Sequence, residues 1–157
     1  MRKDYLSLAV FLALSLSAGV VGSLFTAASV SGWYAELEKP VFTPPSWIFA
    51  PVWTALYVLM AVSGWLLWRR RKESDIRAAL GLFAVQLVLN VLWSVLFFGL
   101  RLPGWAFLEI IVLWLAIALY SAAAARVSRA ASLLFLPYLA WVGYAAVLNY
   151  SIWTLNW

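Results

Sequence analysis

Gln86, Asn90, Trp93 and Phe97 are spaced four, three and four residues apart, which puts two carboxamides, an indole and a benzene ring on one helix face. Trp53, Tyr57, Met60 and Gly64 make a second such stripe. Tyr138, Val142, Ala145 and Asn149 make a third, with Trp141 flanking Ala145. Aromatic faces with a few amides supply apolar area and orientation for a flat, mostly hydrophobic molecule. The amides of Asn90 and Asn149 either orient such a molecule or bond between helices, and spacing alone allows both.

Other chemistry is excluded by what is missing. The chain has no histidine and no cysteine, so it has no imidazole base, no Ser-His pair, no thiolate nucleophile, no disulfide, and no thiolate or imidazole metal ligand. No metal site and no cofactor is expected. Glu109 is the one carboxylate inside a long apolar segment, about one and a half turns after Pro103-Gly104. There it is expected to gain from the helix dipole and stay hydrated at an interface, rather than to relay protons.

The elements that position these residues follow from composition. With 66% hydrophobic and 11% charged residues and a mean hydropathy of +0.94, the chain lacks the charge a water-soluble surface needs. Residues 5–35, 40–68, 78–100 and 130–157 carry no charge, and 102–125 carry only Glu109. Each run exceeds the roughly 20 helical residues that cross about 30 Å of hydrocarbon. The backbone must satisfy itself there, so the expected fold is an all-α membrane protein: a five-transmembrane-helix bundle in one domain, 1–157, with spans near 6–28, 46–68, 78–100, 104–125 and 133–155. The apolar stretch after Met1-Arg2-Lys3 is about twice a signal-peptide core, which favours a retained helix over a cleaved leader despite Ala27-Ala28-Ser29.

Five spans place Arg2, Lys3, Arg69, Arg70, Arg71, Lys72, Arg77, Arg126 and Arg129 on one side, and Lys39 and Arg101 on the other. This asymmetry predicts a cytoplasmic N-terminus and an exterior C-terminus if an inner membrane is the host. The Arg69-Arg70-Arg71-Lys72 run reads as a topology anchor against anionic headgroups, and no nucleic-acid partner is expected. Trp33, Trp47, Trp65, Trp68, Trp105, Trp153 and Trp157 fall near span ends as interfacial anchors, whereas Trp53, Trp93, Trp114 and Trp141 lie deeper. Gly19, Gly22, Gly81 and the run Ser121 to Ala125 permit close helix approach, within the chain or at a dimer seam.

At 1.5 Å per residue, Trp53, Trp93 and Asn149 should lie about 10 Å below the outer boundary and Asn90 about 15 Å. A pocket among the second, third and fifth spans is therefore expected. The segment KPVFTPPSWIFAPVW, residues 39–53, sits on the same side and holds four of six prolines. Thr43-Pro44-Pro45 should follow a preset extended course, making the first loop a lid carried by Trp33, Tyr34, Phe42 and Pro44. Ser46 is expected to cap the second span, with Pro51 in its first turns.

Trp33-Tyr34, Lys39-Pro40, Pro44-Pro45, Ala50-Pro51-Val52-Trp53, Leu56-Tyr57, Gln86-Leu87 with Asn90, Trp93-Ser94, Phe97-Phe98-Gly99, Pro137-Tyr138, Trp141 and Leu148-Asn149, taken in order, resemble the translocator protein family, also called the TspO or tryptophan-rich sensory family. The resemblance spans nearly the whole chain. It implies a five-helix membrane protein, commonly a homodimer, that binds porphyrins and other flat apolar ligands in a pocket closed by the first loop. By resemblance, Trp53, Tyr57, Asn90, Trp93, Trp141 and Ala145 line that pocket, with Tyr34, Pro44 and Phe49 contributed by the loop and the start of the second span. It also implies a sensor, carrier or scavenger; an enzyme degrading porphyrin with light and oxygen through Trp53 and Trp141, or a transporter or packing-only membrane protein whose stripes are ordinary helix contacts, are the rival readings. The sterol motif of animal members fails here, since no basic residue follows Tyr150.

Overall fold

A computed structural model describes residues 2–157, with side chains from Asp4 onward; the basic Arg2 and Lys3 side chains counted toward topology lie outside that set. The elements are α1 (Arg2–Val30), α2 (Trp33–Glu36), α3 (Phe49–Arg69), α4 (Arg77–Ser94), α5 (Pro103–Ala125), α6 (Arg129–Leu133) and α7 (Leu136–Asn156). Among the described residues there is no strand. Five stretches are long and apolar enough to cross a membrane: Asp4–Val30, Ser46–Arg69, Arg77–Gly99, Pro103–Ala125 and Arg129–Asn156. They match the uncharged runs because backbone in hydrocarbon must close its own hydrogen bonds, so helices extend as far as the apolar sequence does.

Helix α1 packs on α3 and α4, α4 on α5, and α5 on α7 and α6, while α6 returns to α3. The two ends of this ring differ. At the end carrying the basic loops, the Ser63 hydroxyl donates to the Ala131 carbonyl (2.7 Å) and so accepts from the Tyr120 hydroxyl (2.8 Å). The Tyr120 and Phe135 rings lie beside them, tilted by 37° with centroids 4.0 Å apart. A Cβ on Gly64 would stand 2.6 Å from the Phe11 ring, so glycine is what lets α1 and α3 touch here. Side chains therefore fill the basic half of the bundle.

The other end, carrying the long first loop, is looser. Helix α4 continues through a π turn, Val95–Gly99, in which the Leu100 N–H reaches back five residues to the Val95 carbonyl at 2.7 Å. That widened turn brings the successive side chains of Phe97 and Phe98 to the same interior space, which a regular α-helix would not do. Arg101 then takes a left-handed conformation, φ 58°, and Pro103 opens α5.

Entry into α3 differs from expectation. The chain comes in through a 3-10 turn, Ser46–Ile48, whose Ile48 N–H bonds the Pro45 carbonyl at 3.0 Å, and Ser46 makes no side-chain cap. Pro45 already holds extended backbone before the turn, φ −55° and ψ 141°, so the ring constraint stands in for a capping hydroxyl. Pro51 falls in the first turn of α3, where its missing N–H costs nothing.

Candidate functional site

A cavity of about 730 Å³ lies in the loop half of the bundle, bounded by α1, α3, α4 and α7 and covered by α2. Its size falls within the roughly 300–1,000 Å³ typical of small-molecule sites. One wall is aromatic: Trp53 lies 5.7 Å from the Tyr57 ring and 6.2 Å from Tyr138, and Phe49 meets Trp141 edge-on at 6.1 Å. A second aromatic patch on α4 has Trp93 stacked on Phe97 at 5.3 Å, with Phe98 edge-on to Phe97 at 4.9 Å. Tyr34 closes the top, 5.5 Å from Phe98.

The polar groups at this depth hold the walls in place. Asn90 accepts a short hydrogen bond from the Tyr57 hydroxyl and donates to the Tyr138 hydroxyl at 2.9 Å, joining α3, α4 and α7. Asn149 accepts from the Trp93 indole N–H at 3.0 Å and donates to the Pro103 carbonyl at 2.8 Å, joining α7, α4 and α5. The two carboxamides do not bond each other; each bridges three helices. The Trp141 indole nitrogen, by contrast, is buried without a hydrogen-bond partner. An unmet buried donor carries its desolvation cost, so this indole is held by packing rather than by a bond.

The first loop is tied down over the site. Asn156 accepts from the Glu38 N–H and donates to the Glu38 carbonyl, both at 2.9 Å, and the Tyr144 hydroxyl donates to the Phe42 carbonyl at 2.7 Å. Lys39 donates to the Ala35 and Leu37 carbonyls and rests 4.9 Å above the Tyr34 ring. Burial, with a smaller contribution from the Tyr144 phenol, pushes the Tyr34 phenol above its ordinary value, so it remains a neutral donor near neutral pH.

The model of the TspO/MBR family matches residues 10–154. The chain belongs to the TspO/MBR family. It is 42% identical to the tryptophan-rich protein TspO of Chlorobaculum tepidum, with 99% of each chain covered. It is 46% identical to the tryptophan-rich protein TspO of Archaeoglobus fulgidus over 90% of this chain and 91% of that one. The translocator protein of Ovis aries is 41% identical over 88% and 83%. A multi-pass membrane protein of the TspO kind is thus established by both fold and kinship.

Of the residues singled out by spacing and resemblance to this TspO family, Tyr34, Phe49, Trp53, Tyr57, Asn90, Trp93, Trp141, Ala145 and Asn149 all border the one cavity. Pro44 does not; it is half-buried in the loop, two residues before the lining residue Ser46. Trp33 packs on Phe97 at 5.8 Å and Phe42 on Tyr144 at 6.3 Å, so both anchor the loop rather than face a guest. Sequence reasoning missed α1, which supplies a whole wall including Gly19, Gly22, Ser23 and Ala27. Their small size at spacings of three, one and four residues was the available signal, but α1 is apolar all round and marks no face as inward.

Glu109 is corrected by the structure. It is buried, 8% exposed, on the inward stripe of α5 with Ala106, Ile110 and Leu113, and neither carboxylate oxygen has a hydrogen-bond partner. Six residues into α5 it is beyond the first turn, so the free N–H groups of the helix end do not reach it. Replacing a buried, unpartnered polar group by an apolar one of similar shape removes a desolvation cost of about 1–3 kcal/mol. Glu109→Met is therefore expected to raise the unfolding midpoint in detergent by thermal melt; a lowered midpoint would mean that the carboxyl has a partner in the bilayer.

Proposed function

We propose that this chain binds porphyrins, or similarly flat apolar molecules, in the cavity between α3, α4, α7 and α1, acting as a sensor, carrier or scavenger in a lipid bilayer. What supports this most directly is a cavity of about 730 Å³ lined by rings from α2, α3, α4 and α7, Tyr34, Trp53, Tyr57, Trp93, Phe97 and Trp141 among them. Rings provide the area, and the few polar groups on the lining, Tyr34 and Ser94 among them, meet the polar edge of the guest. The names of its relatives, tryptophan-rich protein and translocator protein, accord with this. With no histidine or cysteine for iron, recognition is of the macrocycle, so metal-free porphyrin binds at least as well as haem. In an inner membrane, the asymmetry of basic residues puts the N-terminus in the cytoplasm and the loop end with the C-terminus outside. The functional unit is a homodimer; among the small residues noted in the sequence, Gly81 on α4 has nothing within 4 Å of a Cβ position and is open to a partner.

Titrating protoporphyrin into the detergent-solubilised protein tests the site. Saturable binding is expected, weakened about tenfold, or about 1.4 kcal/mol, in Trp53→Phe/Trp141→Phe. Equal affinity in parent and double variant would remove these indoles from the site.

Porphyrin degradation under light and oxygen is the second reading, favoured by the fact that Trp53 and Trp141 both line the cavity. It requires a new absorbing product that depends on both tryptophans; the same product from an unrelated tryptophan-rich membrane protein would reduce it to sensitised bleaching. Gradient-dependent uptake into proteoliposomes would instead mark transport.

A further inference from the structure

Helices α1 and α3 touch closely from the basic end as far as Gly19 and Tyr57. The Trp65 indole donates to the Asp4 carbonyl at 3.0 Å, Phe11 lies over Gly64, and a Cβ on Gly19 would stand 2.5 Å from the Tyr57 ring. Beyond Gly19 the partners change. Gly22 backs onto Ser94 of α4, at 3.1 Å for a Cβ, while Phe49 and Trp53 of α3 lean on Trp141 and Tyr138 of α7. Among the described residues no hydrogen bond joins α1 to α3 on the loop side of the Gly19 contact.

The faces on either side of that gap are both cavity wall and outer surface. Leu16, Val20, Ser23 and Ala27, at spacings of four, three and four on α1, line the cavity and are exposed, Val20 to 60%. Ala50 and Thr54 do the same on α3. A residue that faces the cavity and the exterior at once marks the edge of an opening. The rim is also masked to water: the Ser23 hydroxyl bonds back to the Val20 carbonyl at 2.7 Å and the Thr54 hydroxyl to the Ala50 carbonyl at 2.8 Å. Polar atoms turned onto their own helix leave an apolar margin suited to acyl chains.

Resting on the ligand reading above, we propose that the gap between α1 and α3 is a lateral portal through which flat apolar guests pass between the hydrocarbon core and the cavity. The water-facing roof is the harder route. It is held to α7 by the two Glu38–Asn156 hydrogen bonds and the Tyr144–Phe42 bond, whereas the portal has no cross-tie to break. A guest that partitions into lipid reaches Trp53 and Trp141 by sliding between helices at the depth where the cavity already lies.

The absence of native cysteine makes a direct test possible. Ser23→Cys/Thr54→Cys is bridged by a bifunctional thiol reagent in liposomes, and protoporphyrin association and dissociation are followed before and after bridging. Because these residues also line the cavity, the unbridged double variant is the reference: on bridging, both rates are expected to fall together by about tenfold or more with their ratio kept, since a closed route slows entry and exit alike, whereas a deformed wall changes the ratio. Glu38→Cys/Asn156→Cys, bridged across the roof, should leave them within about twofold. If the portal pair disturbs folding, Ala27→Cys/Ala50→Cys crosses the same gap. Porphyrin that binds with rates indifferent to the portal bridge, or slowed instead by the roof bridge, overturns the route and leaves the site intact. A parent protein that binds no porphyrin overturns the ligand reading, and this proposal with it.

Discussion

Asn90→Leu is expected to destabilise the protein by about 1–3 kcal/mol, from two lost interhelical bonds at an average of about 0.6 and a maximum near 1.7 kcal/mol each. Asn90 is 2% exposed and bridges the Tyr57 and Tyr138 hydroxyls, themselves buried at 7% and 0%. In a water-soluble protein, stranding two buried phenols would cost about 2–6 kcal/mol, at about 1–3 for each. The membrane figure governs here, because the unfolded chain also sits in an apolar medium where those phenols find other partners. The change is measurable as a lowered midpoint in denaturing detergent. Porphyrin affinity should drop with it, since Tyr57 loses the bond that holds its ring against the wall. A variant within about 0.5 kcal/mol of the parent, with unchanged affinity, would show that the bridge does not hold the wall.

Gly19→Leu should have the larger effect on binding. A Cβ at Gly19 would lie 2.5 and 2.7 Å from two carbons of the Tyr57 ring, so even alanine forces a shift and leucine adds a branched side chain behind it. Overpacking of this kind costs about 1–3 kcal/mol. The ring is pinned by Asn90 on the far side, so the strain either breaks that bond or drives α1 away from α3. Either response deforms the cavity, and porphyrin affinity should fall at least about tenfold, about 1.4 kcal/mol. Gly81→Leu is the control for stability of the single chain: nothing lies within 4 Å of a Cβ there, so its effect should stay within about 0.5 kcal/mol. Unaltered binding by Gly19→Leu would mean that α1 is not a fixed wall of the site.

Much of the cavity lining was legible from helical periodicity. The stripe of Trp53 and Tyr57, that of Asn90 and Trp93, and that of Trp141, Ala145 and Asn149 each reach the lining of the same cavity, as helical spacing allows. The π turn was not legible. Nothing in Val95-Leu96-Phe97-Phe98-Gly99 distinguishes a five-residue turn from an ordinary one, yet it is what brings Phe98 to the cavity beside Phe97. Nor was the environment of Glu109, where proximity to a helix start suggested water and packing supplied a dry interior.

By itself the sequence determined that five helices cross a bilayer and which faces of three of them turn inward. Hydrocarbon forces every long uncharged run to satisfy its own backbone, and a helix of known pitch then assigns each side chain an angle and a depth. Only the tertiary structure decided that α1 is a wall, that Asn90 and Asn149 bridge helices rather than each other, and that Val20, Ser23 and Ala27 of α1 are at once exposed and on the cavity lining. Those outcomes depend on which neighbour each helix selects at each level, and that choice is made by the fit of pairs such as Gly19 with Tyr57 and Gly22 with Ser94, which no single helix encodes.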